Sequence, residues 1–255
     1  MRGINVIKLF GASVQGTSHI QTDTPCHDAH RYRILPGNWG YIACVSDGMG
    51  SAIAAEIGSD VASSFIVDYL EKHIDPKLDD EDIIMIIKEG FIEVHDQLLM
   101  AASERDLKVK DLNATLLVFV SLQDRQFYGQ VGDCSAIGKH KDIYRVLVEQ
   151  QRGEYANATF SVCDLNSIEH GIYQKVDGFY PMVALMTDGI EGISISSKDK
   201  TVSHLFYDPF FQAFQHEKFH QKDVEAALER FLSSERINKK TDDDKTLLFI
   251  SVEDV

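Results

Sequence analysis

The chain has 255 residues, 44% of them hydrophobic and 25% charged, ordinary proportions for a globular protein with enough chain to bury a core. A formal net charge of −15 argues against nucleic acid as the main partner, because phosphate backbones repel so acidic a surface. It does not exclude a phosphorylated protein substrate, since bound cations reverse the field locally.

Cys26, Cys44, Cys134 and Cys163 form no C-x-x-C pair, which makes a zinc finger a poor reading and free thiols in a reducing compartment the better one. The apolar run at the N-terminus is too short for a signal peptide, and no run reaches the roughly 18 apolar residues of a membrane span. The expectation is a cytoplasmic chain without a membrane segment.

In chain order, YIACVSD (41–47) reads as a strand rich in β-branched and aromatic residues. Ile53, Ile57, Val61, Phe65 and Tyr69 recur every four residues and predict a helix, as do Ile83, Ile87, Phe91, Val94 and Leu98. Between them DPKLDDED (75–82) supplies Pro76 as a breaker and acids suited to a helix start. ATLLVFVSL (114–122), QFYGQV (126–131), YRVLVEQ (144–150) and MVALMTD (182–188) read as strands, with QDR and HKD as hairpin turns. The stretch 194–221 is the least regular; its FYDPFFQAF (206–214) is a short helix or a packed flap, and mobility is expected there. A helix around Val224, Ala227, Leu228 and Phe231 precedes a last strand, KTLLFISVE (245–253).

Strands in succession, rather than strict βα alternation, favour an α+β layered fold with mostly antiparallel sheets. The central strands are apolar on nearly every residue, so both faces must be covered. Two packed sheets with helices outside, a four-layer α-β-β-α sandwich, meet that need. No repeat and no Gly/Ser-rich linker divides the chain, so 1–255 reads as a single domain.

The chemistry lies in acids at strand ends. VSDGMG (Asp47, Gly48) and MTDGIEG (Asp188, Gly189) repeat one pattern, an apolar run that ends in Asp-Gly. Glycine lets the backbone turn sharply and its carbonyl approach a ligand, and hard cations take carboxylate and carbonyl oxygens. A plain turn explains one such copy well and two copies less well. Asp242, Asp243 and Asp244 stand before the last strand; they repel one another unless solvated or neutralised, and side-chain alternation keeps all three from facing one site. Asp28 in TPCHDAH and Asp133 in QVGDCSA complete the set. Such a set suits a two-metal centre, in which two Mg²⁺ or Mn²⁺ ions about 3.5–4 Å apart activate a bridging water and clamp a phosphoryl oxygen. Oxygen-rich ligation favours those ions over Zn²⁺.

VSDGMG, NATLLVFV, VGDCSAIG, MTDGIEG and DDKTLLFI occur in the order seen in the metal-dependent protein phosphatases, the type 2C family. The resemblance runs from about Gly16 to Val252, and GEYANATF (153–160) resembles a bacterial-like branch. It implies a central β-sandwich flanked by helices with a metal cleft at one end. It also implies a phosphoserine/phosphothreonine protein phosphatase that uses Mg²⁺ or Mn²⁺, with a serine/threonine kinase as a possible counterpart. By that likeness Asp47 bridges two metals, the Gly48 carbonyl binds one, and Asp188 and Asp243 bind the other. Asp28 orders their waters, and Asp133 matches the aspartate of a weaker third site in some members.

The chain departs from the family in three places. His27 stands where Glu often precedes the first aspartate. Met49 stands where many members carry a proton-donating His. The phosphate-gripping Arg has no match, Asp23 standing near its place with His19 upstream. His19 or His27 is an option for these missing roles. The departures also motivate a second reading, a catalytically weak or inactive phosphatase-fold module that binds a phosphorylated or kinase partner.

Overall fold

The computed structural model describes residues 5–151, 160–196, 198–215 and 219–254. Apart from Phe160, the GEYANATF segment lies outside them.

Two five-stranded antiparallel sheets form the centre. One has the order β1 (Asn5–Val14), β10 (Lys245–Asp254), β9 (Met182–Met186), β6 (Ser135–His140), β7 (Ile143–Val148). The other has the order β2 (Ala29–Ile34), β3 (Gly40–Ser46), β4 (Leu116–Leu122), β5 (Arg125–Val131), β8 (Ile172–Lys175). Successive side chains of a strand point to opposite faces, which explains the unbroken apolar runs. From β3, Tyr41, Ala43 and Val45 enter the core between the sheets, with Leu117, Phe119, Leu185 and Ile250. Ile42 and Cys44 point the other way, under helices α2 (Ala55–His73) and α3 (Asp80–Ser103).

The opposite outer layer holds α6 (His204–Ala213) and α7 (Gln221–Leu232), packed on Phe10, Phe249 and Met186. Short helices α1 (Thr17–Thr22), α4 (Leu165–Glu169), α5 (Asp188–Ser194) and α8 (Glu235–Asn238) fill connections. The result is the four-layer α-β-β-α sandwich that the strand pattern implies. No helix among the described residues is long and apolar enough to cross a membrane.

Local chemistry sets the boundaries. Asp79 caps α3 by accepting from the Asp82 N–H at 2.9 Å, and Asp80, Glu81 and Asp82 occupy its first turn, where acids complement the helix dipole. Asp80 also accepts from Arg125 at 2.9 Å and Lys175 at 2.7 Å, tying that helix end to β5 and β8.

Two expectations need correction and one open choice is resolved. The first helix begins at Ala55, leaving Ile53 in a turn, 76% exposed. A four-residue spacing drifts against the 3.6-residue turn. Ile57, Val61, Phe65 and Tyr69 therefore lie at the margin, while Ala62, Ile66, Val67 and Leu70 are buried. Of the two options for FYDPFFQAF the helix is the one found: it forms most of α6, with Tyr207, Phe211 and Phe214 buried. Strands β1, β2, β6 and β8 were not among those expected; β1 pairs with β10 along its whole length.

Phe249 is fully buried, stacked on Phe10 and Phe210 with centroids 5.2 and 5.0 Å away. Phe249→Ala is expected to lower unfolding free energy by about 3–5 kcal/mol in urea denaturation, whereas Ile53→Asp should stay within about 0.5 kcal/mol of the parent. Equal effects would contradict this placement of the core.

Candidate metal centre

The two sheets deliver acids to one end of the sandwich. Asp47 follows β3 directly. Its N–H donates to Thr115 Oγ1 at 3.0 Å and its carbonyl accepts from the Thr115 N–H at 2.8 Å, so the strand end is held on both sides. Asp188 opens α5 immediately after β9 and Thr187. Asp133 sits in the turn between β5 and β6. Asp243 precedes β10, which pairs antiparallel with β9 and so starts where β9 ends.

Asp47, Asp133, Asp188 and Asp243 line one cavity of about 240 Å³, with Gly48, Met49 and His19 also in its wall. Carboxylate oxygens of Asp47, Asp133 and Asp188 lie within 4.8 Å of one another.

The acid loop before β10 divides its three carboxylates. Asp242 and Asp243 are exposed, and only the second of these lines the cavity. The Asp244 side chain is buried at the cavity's edge and accepts from the Gly16 N–H at 2.6 Å, the His27 N–H at 2.5 Å and His19 Nδ1 at 2.9 Å. Two glycines permit the close approach that holds this loop. A Cβ on Gly16 would stand 2.4 Å from the Asp242 carbonyl oxygen, and one on Gly189 would stand 2.0 Å from the Asp244 carbonyl oxygen.

Asp28 is placed differently. It is buried behind the cavity, where its carboxylate accepts from Thr187 Oγ1 at 2.7 Å, and it borders a neighbouring groove of about 700 Å³. Thr187 Oγ1 in turn accepts from the Thr246 N–H at 3.1 Å.

These acids disturb one another. Burial, then the charges of Asp28, Asp188 and Asp133, holds Asp47 well above the usual carboxylate range. Asp188 is pushed up to about 6 by burial and then by Asp133 and Asp243. Asp28 is also raised well above its ordinary value, first by burial and, among its charged neighbours, by Asp244. Among the described residues, no lysine or arginine lines the cavity. A donor set made mainly of mutually repelling carboxylates fits hard divalent ions such as Mg²⁺ or Mn²⁺.

Sequence reasoning missed two features of the site. Asp244 was visible as one of three adjacent acids, but nothing in the sequence marked it as the carboxylate that holds Gly16, His19 and His27. Thr115, in NATLL, gave no sign that it fixes Asp47.

Comparisons with known proteins bear on the family and the fold. The family described as Protein phosphatase 2C matches residues 15–233. Serine/threonine-protein phosphatase 3 of Escherichia coli (strain K12) is 29% identical over 245 residues, covering 94% of this chain and 96% of that one. Among solved structures, the S. agalactiae serine/threonine phosphatase has a TM-score of 0.69 at 14% identity, over 97% of this chain and 100% of that one. Serine/threonine phosphatase Stp1 from Staphylococcus aureus has a TM-score of 0.66 at 14% identity, over 99% and 98%. At such identities the solved structures speak to the fold alone. The family match spans most of the sequence, and the chain belongs to the protein phosphatase 2C family of serine/threonine protein phosphatases.

Proposed function

We propose that the chain, as a single domain, hydrolyses phosphoserine and phosphothreonine in proteins at a centre for two Mg²⁺ or Mn²⁺ ions. Asp47, the Gly48 carbonyl, Asp188 and Asp243 would hold the pair, and Asp133 a further ion. The observation that carries this reading is the meeting of Asp47, Asp133 and Asp188 oxygens within 4.8 Å, in a cavity that Asp243 also lines. When bound, the cations supply Lewis acidity and an activated water. Substrates would be products of serine/threonine kinases, met in the cytoplasm.

The chain's own residues have separable tasks. A phosphoryl dianion entering a cavity lined by five aspartates is repelled unless their charges are neutralised, so the acids make substrate entry depend on the cations. Thr115 fixes the backbone of Asp47. Thr187 and Thr246 fix Asp28 behind it. Met49 offers neither charge nor proton, whereas His19 lines the cavity and is the imidazole placed to protonate a leaving alkoxide. His27 lies behind it, with ring centroids 4.3 Å apart.

A covalent cysteine route has no nucleophile here. Cys134, buried beside Thr115, has its thiol pushed far up by burial and then by Asp47 and Asp133, and a thiol that stays protonated does not attack phosphorus.

EDTA is expected to abolish activity on a small aryl phosphate, and Mn²⁺ to restore it. Asp47→Ala and Asp188→Ala should each lose more than about a hundredfold in kcat, beyond the roughly 10–100-fold typical of an outer-sphere partner, with an unchanged circular dichroism spectrum. Full activity in either variant would overturn the assignment.

Metal-free stability supplies an independent check. A carboxylate with a raised folded-state pKa binds more protons in the native than in the unfolded chain, so its contribution falls as pH rises from its ordinary value, about 3.8, to about 6 for Asp188. Metal-free Asp188→Asn should therefore melt close to the parent near pH 4 and above it beyond pH about 6. A gap that does not widen over that interval would show that Asp188 is not under this strain.

A further inference from the structure

We propose that His19, His27 and Asp244 form a second kind of cation site, suited to a zinc-class ion, beside the carboxylate cavity. One ring nitrogen from each histidine and one carboxylate oxygen of Asp244 lie within 4.8 Å of one another. Ligand atoms around a tetrahedral zinc stand roughly 3.4 Å apart, so small side-chain movements close the site.

His27 supplies the second observation. It is 6% exposed, and its Nδ1 is buried with no hydrogen-bond partner among the described residues. A buried polar nitrogen left unpaired costs free energy, and a cation coordinated by it removes that cost.

Carboxylates and one ammonium surround the cluster. His19 Nδ1 and Asp244 Oδ2, 2.9 Å apart, share a proton that an ion would replace. Asp244 keeps the Gly16 and His27 backbone N–H groups as partners, which fix the carboxylate's orientation. Glu56 brings a further carboxylate oxygen 4.0 Å from His27 Nε2. Lys245, next in sequence, sends its ammonium to Asn238 Oδ1 and the Asp243 carbonyl, each 3.1 Å away. His19 also lines the cavity, so an ion has a route in from solvent.

Two imidazoles and one carboxylate make a borderline-soft donor set that discriminates for zinc-class ions and against Mg²⁺. The neighbouring cavity offers mainly carboxylate oxygens, with His19 at the shared wall. The two centres therefore differ in chemistry although they share a wall, and an ion held by His19 would take that residue out of the proton-donating role given to it above.

The test is titration of the full-length protein with Co²⁺, read by its visible d–d absorption, and with Zn²⁺, read by competition with a chromophoric chelator. Both are run in excess Mg²⁺ to occupy the oxygen centre. The expected result is one tightly held ion per chain with a nitrogen-ligated cobalt spectrum, weakened at least tenfold in His27→Gln and in His19→Gln and retained in Asp47→Asn. Wild-type affinity in both histidine variants overturns the site, as does a cobalt spectrum without nitrogen ligation. Should His27→Gln fail to fold, His19→Gln, at the half-buried edge of the cluster, decides the question alone.

Discussion

Repulsion among carboxylates that the fold forces together is the constraint around which the rest of this molecule is arranged. Two like charges about 4 Å apart at an effective dielectric near 20 oppose each other by on the order of 4 kcal/mol, and here Asp47, Asp133 and Asp188 stand within 4.8 Å. A flexible loop would relax such a cluster. Strand ends cannot, because β3 and β9 are locked into opposing sheets over a continuous apolar core. The hydrophobic layers thus hold a charge arrangement that solvent would disperse.

Polar contacts at the acids refine that arrangement. Thr115 holds Asp47 through two hydrogen bonds, and Gly189 lets the α5 start press against the Asp244 carbonyl. Asp243 and Asp244, adjacent in sequence, have opposite environments. The first is open to the cavity, while the second is buried under donors from Gly16, His19 and His27. Asp243 faces the cavity, its Oδ1 accepting only from the Asp244 N–H at 2.9 Å among the described residues, while Asp244 anchors the loop. Asp28 belongs with the anchored kind, taking the Thr187 hydroxyl behind the cavity.

Much of this was legible in the sequence, for identifiable reasons. Apolar runs ending in Asp-Gly mark where strands stop, and both Asp47 and Asp188 stand at strand ends lining one cavity at one end of the sandwich. Strands β4 and β5 were readable because both of their faces are covered, so every residue carries the signal. β2 was not, because its solvent side carries Arg31 and Arg33 and its pattern is mixed. The buried face of α2 was misjudged because small residues, Ala55, Gly58, Ser59 and Ala62, make the closest contact and carry little hydrophobic signal. The division of labour between Asp243 and Asp244 depends on the loop path past Gly16, a contact 228 residues distant in sequence, and no local pattern encodes it.

The claim on which the account rests is that acids from both sheets share divalent cations. An anomalous difference map from crystals soaked in Mn²⁺ addresses it directly. The account predicts two peaks about 3.5–4 Å apart, with the Asp47 carboxylate reaching both and Asp188 and Asp243 converging on one. Peaks located elsewhere, or a cavity without manganese at saturating concentration, would contradict it.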